Sequence, residues 1–149
     1  MRHILTALFL SVTASAFGQA SVAYYPLNPT FLSVSTNPDR AVWLDARLQT
    51  NTALGALGTT ICPMVNVVRK PTINYYVGAG ISLNPLTGLN DERFVRGYSA
   101  HVGIRFIPLS FLPRFRVAFE LSPFTQSNFK YGNLFSNLGL VYQFQKKRE

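Results

Sequence analysis

The sequence predicts an all-β fold: eight antiparallel strands closed up-and-down into a transmembrane β-barrel. Three observations carry that prediction. Segment after segment alternates apolar with small or polar residues, the apolar faces carry no charge, and short connections take turns with long ones. Side chains point alternately to the two faces of a strand, so a period of two marks a strand with two chemically different sides.

The chain opens with a basic residue at Arg2, an apolar stretch from Ile4 to Phe17, and the sequence Ala16-Phe17-Gly18. These are the three parts of a secretory signal peptide. The apolar stretch is shorter than the roughly 20 residues a membrane-spanning helix needs. Cleavage after Gly18 assigns residues 1–18 to the signal and 19–149 to one barrel domain; cleavage after Ala20 is the alternative. The only cysteine, Cys62, excludes an intramolecular disulfide and a multi-cysteine metal site.

The first two strands, at 21–26 and 31–36, are the weakest, joined by a turn at Asn28-Pro29-Thr30. If residues 19–36 are instead a loose arm, six strands remain, and the sequence leaves both arrangements open. Six clearer strands follow at 41–50, 59–68, 74–84, 97–107, 115–122 and 134–144. Most approach the roughly 9–11 residues that a tilted strand uses to cross a bilayer. The third of these shows the pattern best. Tyr75, Val77, Ala79, Ile81 and Leu83 point one way, while Asn74, Tyr76, Gly78, Gly80, Ser82 and Asn84 point the other.

Short links fall at 37–40, 69–72 and 108–114, and longer ones at 51–58, 85–96 and 123–133. Outer-membrane barrels have short periplasmic turns and longer outer loops, so the short links are expected at the periplasmic rim. The short link at 26–30 is the exception, since it falls on the outer side.

Alternation alone does not choose between lipid and water, because soluble β-sandwiches and lipocalin-like barrels alternate too. The other face chooses. All four lysines (Lys70, Lys130, Lys146, Lys147) lie in links or at the tail, and the polar face holds Gly, Ser and Asn instead. Across five strands the apolar face offers twenty-two positions without a charge, from Val42 through Phe144. A Lys or Arg at the bilayer midplane costs roughly 2–4 kcal/mol, so a charge-free band is what lipid exposure demands. Charged residues make up 13% of the chain against roughly 25% in ordinary soluble proteins. Phe106, Phe115, Tyr142 and Phe144 gather at one end, with Tyr75 beside them, as one aromatic girdle would.

With its signal peptide, alternating strands and terminal strand Leu138-Gly139-Leu140-Val141-Tyr142-Gln143-Phe144, the mature chain resembles the small eight-stranded outer-membrane β-barrel proteins of Gram-negative bacteria. The resemblance is one of pattern. It implies location in the outer membrane, with membrane lipid and the outer-membrane assembly machinery as partners. It also implies that Tyr142 and Phe144 end the strand that this machinery recognises. The tail at 145–149 departs from the pattern, since many members of the class stop at the aromatic residue.

Five charged residues fall on inward positions: Asp45, Arg47, Arg105, Arg116 and Glu120. Buried charges need partners, so these five are expected to form one salt-bridge network that plugs the lumen. A narrow arginine-lined ion path is the alternative. Ser99, His101 and a carboxylate from Asp45 or Glu120 could in principle build an acyl-transfer group. However, Ser99 and His101 stand only two apart on one strand, with no nucleophile turn and no oxyanion site, so a hydrogen-bonded lumen histidine is expected and no enzyme. No metal cluster, phosphate loop or nucleotide motif is present, and no cofactor is implied.

The net charge of +8 ordinarily raises nucleic-acid binding. Its distribution argues against that. Arg40, Arg69, Lys70, Arg114, Lys146, Lys147 and Arg148 gather on the expected periplasmic rim, opposed only by Asp39 and Glu149. Such a rim fits anionic headgroups or an acidic periplasmic or outer-membrane protein partner. The expected function is therefore non-enzymatic, in envelope structure or in interaction through the loops or the basic rim. A secreted or periplasmic barrel binding an apolar ligand is the alternative, and a lipid-modifying outer-membrane enzyme comes after it.

Overall fold

In the computed structural model, which describes residues 19–50, 58–85 and 94–144, eight antiparallel strands close in chain order into one barrel. They are β1 (Ser21–Tyr25), β2 (Phe31–Ser35), β3 (Val42–Gln49), β4 (Thr59–Arg69), β5 (Ile73–Leu83), β6 (Val95–Phe106), β7 (Phe115–Gln126) and β8 (Gly132–Gln143). The predicted all-β, up-and-down barrel is the observed one. The two weak segments are both barrel strands rather than an arm: β1 pairs with β2 on one side and closes on β8 on the other, from Ser21–Gln143 to Tyr24–Leu140.

The register fixes the shape. From Val22, the circuit of paired residues runs through Val34, Ala46, Ile61, Ile81, Tyr98 and Thr125 to Gly132. Val22's own partner on β8 is Tyr142, ten residues further along. At ~3.3 Å per residue and ~4.8 Å between strands, a ten-residue stagger over eight strands tilts them by about 40°. Strands of 11 or 12 residues then rise close to 30 Å along the barrel axis, whereas the five residues of β1 or β2 rise only about 13 Å. The wall is tall through β4 to β8 and low at β1 and β2. Above that low wall, residues 132–139 of β8 have no strand on their β1 side.

The two faces divide as the alternation predicts. None of the twenty-two apolar positions is buried: Val102 is 57% exposed and Leu140 65%. Asp45 and Glu120 are 0% exposed. This barrel is apolar and free of charge outside, and its interior mixes buried charged and polar side chains with rings such as Tyr25, Phe31, Trp43 and Tyr76. Phe115 and Phe144 both pack edge-on against Tyr142 at the turn end. Exposed rings at the opposite end include Phe94, Tyr131 and the stacked pair Tyr98–Phe129.

β6, expected from residue 97, begins at Val95, and a second bound moves further. Residues 123–133 were expected to be one of the longer polar links. Instead β7 runs through Pro123 to Gln126 and β8 starts at Gly132, leaving a link of only residues 127–131. Pro123 pairs with Leu134 of β8, and the missing N–H is absorbed on the other side. There the ladder to β6 skips from Leu121 to Phe124. Pro63 does the same in β4, pairing with Leu44 of β3 while the ladder to β5 skips from Ile61 to Met64.

The inward glycines make room for large side chains. A Cβ on Gly103 would enter the ring of Tyr76, and one on Gly139 would enter the ring of Tyr25. Small residues opposite large ones let eight strands close around a filled interior.

Candidate functional site

The lumen is built in three levels. At the turn end, the link between β2 and β3 folds into the barrel mouth. Asn66 of β4 donates to the carbonyl oxygens of Pro38 (2.7 Å) and Arg40 (2.6 Å), and accepts from the Trp43 indole at 3.2 Å. Asp39, on the same turn, accepts from Arg116 of β7 through both oxygens at 2.6 and 3.0 Å. It also accepts from Gln143 of β8 at 2.8 Å and Asn74 of β5 at 3.0 Å. One carboxylate therefore ties a turn to three strands. Burial pushes its pKa upward, but Arg116, Gln143 and Asn74 together hold it below the ordinary aspartate value.

Above this plug, Arg105 of β6 is fully buried, with its guanidinium 4.8 Å from the Trp43 ring and 5.7 Å from that of Tyr76. Among the described residues its nitrogens meet no carboxylate, and the Tyr25 hydroxyl is a polar neighbour. Aromatic faces, rather than a carboxylate, hold this charge.

The third level is the charge network. Arg47 of β3 donates to Asp45 at 2.8 Å and to both oxygens of Glu120 at 2.6 and 2.8 Å. Ser33 completes Asp45 at 2.5 Å, while Tyr76 and Ser122 complete Glu120 at 3.0 and 2.7 Å. His101 Nδ1 lies 3.0 Å from Glu120, and its Nε2 lies 2.8 Å from Ser99 Oγ. An ionised carboxylate only accepts, so Nδ1 carries a proton facing Glu120, and Nε2 faces the Ser99 hydroxyl. Asp45 and Glu120 are balanced in charge by Arg47 and, at longer range, Arg105.

The five expected network charges are thus all in the lumen, but they do not form one network. Asp45, Arg47 and Glu120 do, joined by His101. Arg116 pairs with Asp39, which had been assigned to the rim, and Arg105 pairs with no carboxylate. The reason is axial distance. Arg116 is the second residue of its strand and Glu120 lies four residues further on, so the tilted strand carries them to different levels.

Ser99, His101 and Glu120 do stand in the hydrogen-bond order of an acyl-transfer triad, closer together than the sequence led us to expect. Ser99 itself pairs with Gly80 on one side and Phe124 on the other, while the ladder to β7 skips Ala100 and His101. Of the expected rim, Arg40, Arg69, Lys70 and Arg114 are exposed at the turn end. Lys146, Lys147 and Arg148 lie outside the described residues. Tyr142 and Phe144 sit in the aromatic cluster at that end, and the amide of Phe144 is bound to the carbonyl of Ala20 at 2.8 Å. Among the described residues no group of three metal-ligating side chains occurs.

Comparison with known proteins returns no matching family model, no matching curated protein and no matching solved structure.

Sequence reasoning missed three contributors. Trp43 shares the inward parity of Asp45 and Arg47, and that signal was readable. Asp39 carried none, because turn residues have no parity. Arg96 was assigned to an outer loop but belongs to β6 and borders a cavity on the loop side of the network.

Proposed function

We propose that the protein is a non-enzymatic β-barrel of the outer membrane of a Gram-negative bacterium, with a side-chain-filled waist, acting in envelope structure or in interaction through its loops or basic rim. The observation that carries this reading is the inversion of the barrel. Its outer face is apolar and free of charge, whereas its interior holds two carboxylates, an arginine and a histidine at one waist. Water would favour the reverse, and lipid favours this arrangement. The aromatic rings at both ends support it, since Trp and Tyr rings gather at both interfaces of a membrane protein. The buried charges of the interior also count against a soluble barrel that takes an apolar ligand into an apolar core.

The rim gives the interaction a chemistry. With Asp39 neutralised by Arg116, the exposed Arg40, Arg69, Lys70 and Arg114 face outward without it, suited to anionic headgroups or an acidic protein partner. The aromatic end of β8, with Tyr142 and Phe144, is the segment the assembly machinery reads in this proposal. Nucleic acid is not the partner, because these charges ring a membrane boundary.

Cell fractionation with gel mobility tests the reading. The proposal expects the protein in the outer-membrane fraction, migrating faster unheated than boiled. Recovery with soluble periplasm overturns it.

A further inference from the structure

On the loop side of the waist the lumen opens into a cup of about 320 Å³. Most of the barrel's interior charge is matched below it. Arg47 is taken by Asp45 and Glu120, Arg116 by Asp39, and Arg105 by aromatic faces. Arg96 is different. Leu83 of β5 pairs with Val95 and Ser82 pairs with Gly97, so Arg96 is the extra residue of a β-bulge in β6. On that strand the even-numbered positions Tyr98, Ala100 and Val102 face outward, and strict alternation would send Arg96 the same way. The bulge breaks the phase and brings Arg96 to the cup wall. It is half-buried there, with no ion-pair partner among the described residues.

Two further features of the same cup are independent of Arg96. The rings of Phe31, Phe124 and Phe135 line it, supplying flat apolar surface in an otherwise polar chamber. Asn137, also in the lining, is buried and donates its Nδ2 to Ser122 at 3.3 Å, which leaves Oδ1 without a partner. A buried acceptor without a donor is costly unless something else supplies one.

We propose that the cup is a binding site for a small organic acid with a flat apolar body and a hydrogen-bond donor. Arg96 takes the carboxylate, the phenyl rings take the body, and Asn137 Oδ1 takes the donor. A guanidinium fork matches a carboxylate bidentately, and the half-enclosed cup strengthens that pairing relative to open water. The volume lies at the low end of the roughly 300–1,000 Å³ of ligand pockets, which limits the ligand to a small molecule. The proposal rests on the lumen alone. It holds wherever the barrel resides, so its failure and a failure of the membrane reading are distinguishable.

Calorimetric titration of the purified chain in detergent micelles tests it, with 4-hydroxyphenylacetate, its neutral amide and inorganic phosphate as probes. The proposal expects saturable 1:1 binding of the acid, with the amide and phosphate each at least tenfold weaker. Arg96→Gln should reduce the acid to the level of the amide, and Arg96→Lys should retain part of the difference. Equal binding of acid and amide, phosphate binding as well as the acid, or no saturable binding of the acid overturns it. Should Arg96→Gln fail to fold, the acid-to-amide ratio in the unaltered protein still decides, because it requires no variant.

Discussion

Arg116 grips both carboxylate oxygens of Asp39 across the barrel mouth, at 2.6 and 3.0 Å, joining a turn to a strand 77 positions away in the chain. A turn residue thereby closes one end of the lumen.

That pair makes the mouth acid-sensitive. Asp39 is held below its ordinary pKa in the folded protein, so its contribution is fully present above the ordinary aspartate value of 3.8. It is lost as pH falls below that value, through the folded pKa. Asp39 is partly exposed, so solvent screens the effect and the loss is modest. Thermal unfolding of the unaltered protein and Asp39→Asn should differ at pH 7, and the difference should shrink as pH falls below 3.8. A difference that persists at low pH would count against the pair.

At the waist, Arg47 and Glu120 are a buried pair whose partners are interlocked. Arg47→Met leaves Glu120 and Asp45 without their cation, which should cost about 3–5 kcal/mol in urea unfolding. Replacing Arg47, Asp45 and Glu120 together by apolar residues of similar volume should recover much of that loss. If the single and triple variants unfold alike, the network contributes by packing rather than by charge.

The contact between Gly103 and the ring of Tyr76 is a matter of space. Gly103→Val forces the ring aside and should destabilise the barrel by roughly 1–3 kcal/mol. Adding Tyr76→Ala should relieve part of the strain, a non-additivity that a double-mutant cycle reads directly.

The low wall at β1 and β2 leaves an edge. The amide of Gln143 points to the β7 side and that of Phe144 to the β1 side, so by alternation Leu134, Ser136 and Leu138 also point toward β1. No strand meets them there. In micelles their amides should exchange with deuterium much faster than those of Phe135 and Asn137, which point to β7. Uniform protection along β8 would show the edge to be covered.

Much of this was legible in the sequence because lipid and a narrow lumen impose opposite demands on alternate residues. The period of two located all eight strands, and inward parity found Asp45, Arg47, Arg105, Arg116, Glu120 and His101. What parity does not encode is level along the axis. It placed Arg116 and Glu120 on one face without showing that tilt and spacing separate them, and Asp39 had no parity to read. Pro123 misled for a local reason: its missing N–H breaks one ladder, yet the strand continues on the other. Arg96 was hidden by a bulge, a register irregularity that only the pairing of two strands reveals.

The central claim is that the apolar face meets lipid and the polar face does not. Spin labels placed singly at Val77, Val102 and Leu140, and at Asn137 for contrast, test it in reconstituted vesicles after Cys62→Ser removes the native thiol. The account predicts that the first three collide readily with oxygen dissolved in the bilayer and little with an aqueous nickel chelate, while Asn137 shows no lipid contact. Ready collision of Val77, Val102 and Leu140 with the aqueous chelate would contradict it.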